Sequence, residues 1–194
     1  MYKLVDDEFF KLPTLDLAKK LIGCFLVHEV GSERLVGRIV ETEAYKGPED
    51  RAAHSFNNRR TPRTEIMFHE AGLVYTYQMH THTLINVVSG PVDVPHAILI
   101  RAVEPVEGIE IMRENRGRKF RDIDLTNGPG KLTKAFGITM DYYGHYWGEK
   151  PLYIAEGNLV GEIETGNRIG IQNSGEAVHY PWRFFERGNR FVSR

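Results

Sequence analysis

Apolar residues recur at helical spacing in only a few short stretches of this chain and run or alternate in the strand manner elsewhere. Leu15, Leu17, Ala18, Leu21 and Ile22 follow Thr14, a favoured helix N-cap, and precede Gly23, a natural stop. Residues 24–30 and 35–45 are β-like, and Gly31-Ser32-Glu33-Arg34 between them suits a hairpin turn. Residues 46–70 form a long polar segment, with a short helix expected near 49–54. A segment of this length inside a compact domain is usually functional. Gly72–Met79 and Leu84–Val88 read as two strands joined around Thr81, and Ala97–Val103 as another. Pro105 opens an expected helix through Arg113, and Pro129 opens a second through Phe136, stopped by Gly137. Short strands near 151–155 and 168–172 complete the β content, and the tail from 173 reads as irregular capping structure. With no repeat, linker or composition shift, the pattern predicts one α+β domain over residues 1–194. Its centre is a curved, mostly antiparallel, open-barrel-like sheet with surrounding helices.

Composition narrows the class. The chain has 194 residues, 41% of them hydrophobic, enough for a sizeable core and unlike a disordered or collagenous sequence. The net charge of −1 lacks the usual signature of a nucleic-acid binder, but positive charge is clustered. Arg59, Arg60 and Arg63 form one cluster; Arg113, Arg116, Arg118, Lys119 and Arg121 another; Arg183, Arg187, Arg190 and Arg194 a third. Such clusters are more often solvated surface than binding patches. The single cysteine, Cys24, lies in the apolar string Ile22–Val27, which reads as a small buried hydrophobe in a reducing compartment. No signal peptide or apolar run of transmembrane length is evident, so the expected location is the cytoplasm.

Candidate chemistry concentrates in Gly37–Arg63, GRIVETEAYKGPEDRAAHSFNNRRTPR. A β-branched run delivers Glu43 and Tyr45, which project from one face of an extended strand. His54 and the first arginine cluster follow. A carboxylate, a flat ring, an imidazole and phosphate-seeking cations suit an enzyme acting on a nucleobase. A glutamate and a tyrosine on one strand face are, alone, more often plain sheet surface. Tyr75 and Tyr77 repeat the spacing, and if the two strands are neighbours their rings flank a flat ligand. Asn86 and Arg101 are polar residues in apolar strands. A buried guanidinium requires a partner, for which Glu43 is a candidate; otherwise Arg101 points to solvent. His80-Thr81-His82, with His54 and His69, raises a zinc site, but the pair lies in a turn with no cysteine, so no metal is expected. There is no GxSxG, Walker or GxGxxG motif, and no cofactor is expected. The Gly128-Pro129-Gly130-Lys131 turn offers N–H groups to a phosphate, as any Pro-initiated helix does.

The ordered segments VETEAYKGPEDRAAHS (40–55), TPR (61–63), MF (67–68), GLVYTY (72–77), LIN (84–86), LIRAVEPVEG (99–108), NGPGKL (127–132), RIGI (168–171) and PWRFF (181–185) resemble the alkyladenine (3-methyladenine) DNA glycosylase family over nearly the whole chain. The resemblance implies a monofunctional glycosylase that flips a damaged purine out of duplex DNA and hydrolyses its N-glycosidic bond. It implies Glu43 as the general base for water, Tyr45 and Tyr77 as stacking platforms and His54 at the edge of the base. Arg101 would help to fix the water and the backbone near the flipped nucleotide, and Asn86 would crowd the exocyclic amine of guanine. From their charge alone, the arginine clusters at 59–63 and 113–121 are expected to contact DNA phosphates, with Arg59, Arg60 and Arg63 favoured because they adjoin His54. The chain departs from the family pattern at the wedge that enters the duplex. Tyr77-Gln78-Met79-His80-Thr81-His82-Thr83 has no tyrosine after Tyr77, leaving Met79 and His80 as candidates. The implied partner is double-stranded DNA carrying 3-methyladenine, 7-methylguanine, hypoxanthine or ethenoadenine. A monomer is expected, associated with the nucleoid when acting.

The chemistry is consistent. Extruding a nucleotide costs a few kcal/mol, and aromatic stacking returns roughly 1–3 kcal/mol per base. Alkylated purines gain by cation–π attraction, and alkylation makes the base a good leaving group. A carboxylate that activates water and faces an oxocarbenium-like transition state then suffices. None of the residues given a role is a lysine, so no Schiff base or strand cleavage is expected. Two other readings are a non-catalytic modified-base DNA-binding module, to which Glu43 would be superfluous, and a metal-dependent nucleotide hydrolase.

Overall fold

The computed structural model describes residues 2–158 and 161–193. Two short helices, α1 (Asp7–Phe10) and α2 (Thr14–Lys20), precede the hairpin β1 (Phe25–Val30) and β2 (Glu33–Lys46). After the long polar segment come β3 (Val74–Met79), β4 (His82–Ser89) and β5 (His96–Glu107), then α3 (Ile109–Arg116) and α4 (Pro129–Phe136). Strands β6 (Leu152–Ala155), β7 (Ile163–Gly166) and β8 (Arg183–Glu186) complete the described elements. Every pairing is antiparallel, in the order β3-β4-β5-β2-β1-β6, with β8 joined to both β2 and β7. The sheet does not close. This is the α+β architecture expected.

Alternation along the strands assigns the two faces. Ala44, Val74, Ile85, Val87, Ile98 and Ile100 point into the main core, which α2, α4 and Trp147 cover. Thr42 on that face ties β2 to α2 by donating its hydroxyl to the Ala18 carbonyl, 2.8 Å away. The other face carries a smaller cluster in which Tyr75, Tyr77, Leu84, Val88, Ala97 and Leu99 pack with Met67, Phe68 and Tyr45. The functional candidates share this second face.

Several local expectations are corrected. Residues 49–54 form turns rather than a helix. The Asp50 carboxylate accepts from the backbone N–H groups of Lys46 and Ala52, satisfying the loop in the way that draws aspartate out of helices. Thr14 is the first residue of α2, not its cap, because its hydroxyl is engaged by His96 and Ser89 across the core. Pro105 does not open a helix. It lies inside β5 opposite Gly37, beside a register shift that tolerates its missing N–H. The helix waits for Gly108, whose φ of 77° makes the left-handed turn into α3. Residues 168–172 form no strand, because their polar groups turn inward to carboxylates. The tail is more regular than expected: β8 adds to β2 through Glu41↔Phe185, Thr42↔Phe184 and Glu43↔Arg183.

Candidate active site

One register row crosses the second face: Tyr75 (β3) opposite Asn86 (β4), Asn86 opposite Leu99 (β5), Leu99 opposite Glu43 (β2), and Glu43 opposite Arg183 (β8). The tyrosine strands β2 and β3 are therefore not neighbours, as the conditional reading of the sequence required; β4 and β5 lie between them. Tyr45 and Tyr77 instead line a common cavity of about 370 Å³. Its wall also includes His54, Met67, Tyr75, Met79, Asn86, Leu99, Arg101, Pro129 and residues 169–174. Its size and mixed lining match a small-molecule site.

Two compensating irregularities position the charges. Between Ile39↔Val103 and Glu41↔Ala102 the extra residue is Val40 on β2; between Glu41↔Ala102 and Thr42↔Ile100 it is Arg101 on β5. Such bulges re-aim side chains at functional sites. Arg101 consequently reaches two carboxylates, Glu41 at 3.1 Å from Nε and Glu43 at 3.3 Å from Nη1. It is buried and paired, as the first of the two sequence alternatives required.

The two glutamates differ in what they have left to give. Glu41 accepts from Arg101 Nε, Arg183 Nε (2.6 Å), Ser193 N (2.7 Å) and Ser193 Oγ (2.8 Å). Four donors thus reach Glu41, three on Oε1 and one on Oε2, against the about four acceptor sites of a carboxylate. Glu43 accepts from the Ile169 N–H at 2.7 Å on Oε1, and from the Tyr45 hydroxyl at 2.7 Å and Arg101 on Oε2. Three donors leave one acceptor site. Glu43 is fully buried, behind the wall formed by Tyr45, Arg101 and Ile169. Burial raises its pKa, opposed by the Arg101 cation and the two donated hydrogen bonds.

His54 is held at the cavity edge. Its Nε2 lies 3.0 Å from Arg63 Nη2 and its Nδ1 2.8 Å from the Tyr75 hydroxyl. Arg63 Nη2 also lies 3.3 Å from Nδ1, so this donor can serve either ring nitrogen. Burial, then the cations of Arg63 and Arg59, lower its pKa to about 4, and the ring is neutral near pH 7. Its edge meets the Tyr77 ring at 4.6 Å between centroids. Asn86 is pinned by its Nδ2 donating to the Tyr75 carbonyl at 3.0 Å.

The wedge candidates sit at the β3–β4 tip. Met79 is 44% exposed, and His80 adopts a left-handed φ of 54°. Gly130 lets the α4 N-terminus approach this hairpin, since a Cβ there would lie 2.8 Å from His82. The arginines diverge. Arg59 is exposed, Arg63 engages His54, and Arg60 is held by Glu65 and Asp93. In the second cluster Arg113, Arg118 and Arg121 pair with nearby carboxylates. No three potential metal ligands converge among the described residues, and none of the described helices is long and apolar enough to cross a membrane.

Several contributors escaped the sequence reading. Asp50 and Arg168 form a fully buried pair, at 2.5 and 2.8 Å, which ties the polar loop to residues 168–177. Ile169 supplies the amide to Glu43, and Ser193 closes the Glu41 network. RIGI (168–171), and Asp50 within VETEAYKGPEDRAAHS (40–55), were visible in motifs without a role; nothing local marked Ser193.

A flat-walled cavity backed by a buried carboxylate and guanidinium is suited to a nucleobase, and comparison with known proteins places it. The chain matches the family described as Methylpurine-DNA glycosylase (MPG) over residues 8–190. It is 62% identical over 188 residues to a Bacillus licheniformis protein named "Putative 3-methyladenine DNA glycosylase", covering 96% of this chain and 95% of that one. Proteins of the same name match from Bacillus subtilis, 62% identical with 96% and 94% covered, and Listeria monocytogenes, 45% identical with 100% and 94% covered. The chain belongs to the methylpurine-DNA glycosylase family. It is accordingly a DNA glycosylase, a hydrolase that acts on DNA.

Proposed function

We propose that this glycosylase excises alkylated and deaminated purines, among them 3-methyladenine, 7-methylguanine, hypoxanthine and ethenoadenine, after flipping the nucleotide from duplex DNA. The observation that carries the reading is Glu43: a buried carboxylate with one unfilled acceptor site behind a cavity lined by tyrosines. The flipped base stacks on Tyr45 and Tyr77, with His54 at its edge. Asn86, immobilised on the Tyr75 carbonyl, crowds a purine 2-amino group. A water held by Glu43 and Arg101 attacks C1′ as the N-glycosidic bond breaks. The bonding electrons leave with the purine and the water proton passes to Glu43; an alkylated cation departs as a neutral base, whereas hypoxanthine or ethenoadenine departs as an anion and takes a proton from solvent. The raised pKa of Glu43 makes it a stronger base than an exposed glutamate. Glu41, held by four donors against three on Glu43, orients Arg101.

Met79 and His80, at the exposed tip, enter the duplex where the nucleotide leaves. Arg59 and Arg63 contact phosphates, whereas Arg60 must first give up Glu65 and Asp93. The test is release of free base from duplexes carrying single lesions, with EDTA present. Release with an intact sugar–phosphate strand supports the reading. Binding without release would make the protein a modified-base recognition module, and abolition by EDTA would require a metal.

A further inference from the structure

Two arginines stand against the aromatic plates without joining the cavity wall. Arg168 Cζ lies 4.7 Å from the Tyr45 ring centroid and 5.2 Å from that of Trp182. Arg63 Cζ lies 5.0 Å from the Tyr77 centroid. Both tyrosines line the cavity, and neither arginine is part of its wall. The excision chemistry requires no charge at either place. Arg168 is also costly to bury: its side chain is wholly enclosed, and its Nε has no hydrogen-bond partner among the described residues. Its Nη1 and Nη2 donate to the Ala44 and Ala177 carbonyls, at 2.8 and 3.2 Å, as well as to Asp50.

We infer that Arg168 and Arg63 set the charge selectivity of the base pocket, weakening the attraction of Tyr45 and Tyr77 for a cationic purine while leaving the stacking of neutral purines intact. The inference rests on the assignment of these tyrosines as stacking plates. A cation is held over an aromatic face by the negative face of the ring quadrupole. A guanidinium already held against the ring draws ring electron density toward itself and repels a second cation at the same ring. A neutral purine stacks through dispersion and apolar contact and loses little. Asp50 neutralises Arg168 at long range, but it bonds the guanidinium nitrogens Nη1 and Nη2 while the guanidinium carbon stands over the ring. Arg63 forms no ion pair among the described residues; it contacts His54 and the Tyr77 ring. The pocket is thereby made to accept uncharged damaged purines alongside alkylated cations instead of trapping cations alone.

The test compares binding of duplexes carrying 7-methylguanine, a cation, and 7-deaza-7-methylguanine, its uncharged isostere. A Glu43→Gln background prevents excision. Asp50→Asn combined with Arg168→Met removes the buried charges together, and Arg63→Gln removes the exposed one. Either change should raise the preference for the cation by about 2- to 30-fold, the span of cation–π strength from exposed to desolvated sites. Arg168→Lys should leave the preference near that of the parent. Phosphate contacts are common to both duplexes and cancel in the ratio, so a general loss of DNA affinity on Arg63→Gln does not obscure the result. Should the buried double substitution fail to fold, Arg63→Gln decides alone. Unchanged ratios in the folded variants would overturn the inference. Tyr45→Ala separates it from the reading beneath: if that change left both affinities intact, the stacking assignment itself would fall.

Discussion

Replacing Glu43 by glutamine changes one atom and should remove most of the chemistry. The carboxamide keeps an acceptor oxygen for the Ile169 N–H and the shape that fills the space behind Tyr45 and Arg101. It loses the charge and the proton acceptor. Arg101 is not orphaned, because Glu41 and Ser193 remain on it. General-base removal typically costs about 10²- to 10⁴-fold, or roughly 2.7–5.4 kcal/mol of barrier at 1.36 kcal/mol per tenfold. Single-turnover excision from a lesion duplex should fall by that factor, while lesion binding stays within a few-fold of wild type. The pH response supplies a second arm. Burial raises the Glu43 pKa above its ordinary value of 4.5, so wild-type excision should fall on acidification at a pH above that value. The variant should lack this limb. Stability should move the other way. A group whose folded pKa is raised contributes stability below its unfolded pKa and loses it as pH rises through the folded pKa. Near neutral pH the buried charge is therefore a cost, and Glu43→Gln should hold or raise Tm. A variant that cuts at wild-type rate would refute the mechanism. One that loses activity together with lesion binding and Tm would show Glu43 to be structural instead.

Three further outcomes are expected. Glycine at both Met79 and His80 should impair excision from duplex DNA more than from mismatched or single-stranded sites, whose bases cost less to extrude; equal loss on all substrates would place the wedge elsewhere. Asn86→Ser frees the space now held by the immobilised carboxamide and should improve excision of guanine-type relative to hypoxanthine-type bases, within the ~1–3 kcal/mol that pocket shape supplies. An unchanged ratio would remove Asn86 from the discrimination. Arg59→Gln should flatten the slope of log affinity against log salt by about one unit, the signature of one lost phosphate contact. The same change at Arg118, paired with Glu114, should leave the slope near wild type, and matching effects at both sites would refute the assignment of the first cluster.

Period and punctuation along the chain determined a good deal by themselves. The hairpins, the Pro129–Phe136 helix with its glycine stop and the antiparallel α+β class all follow from local side-chain geometry. So does the placement of Glu43 and Tyr45 on one strand face, because alternation is a property of any extended backbone. Where a distant group decided the outcome, local reading failed. Asp50 draws its loop out of helix by capping nearby amides, and its ion pair is made with Arg168, 118 residues away. Ile169 gives its N–H to Glu43 instead of to a neighbouring strand, and the arginine-rich tail becomes β8 because β2 offers it an edge. The distinction between Glu41 and Glu43 is tertiary in the same sense. Both are strand glutamates of one parity, and the arrival of Arg183 and Ser193, 142 and 152 residues downstream, brings four donors to Glu41 against three on Glu43. Sequence periodicity sets the face on which a side chain projects. The supply of donors reaching it depends on chain segments that meet only after folding, and that supply decides which carboxylate can act as a base.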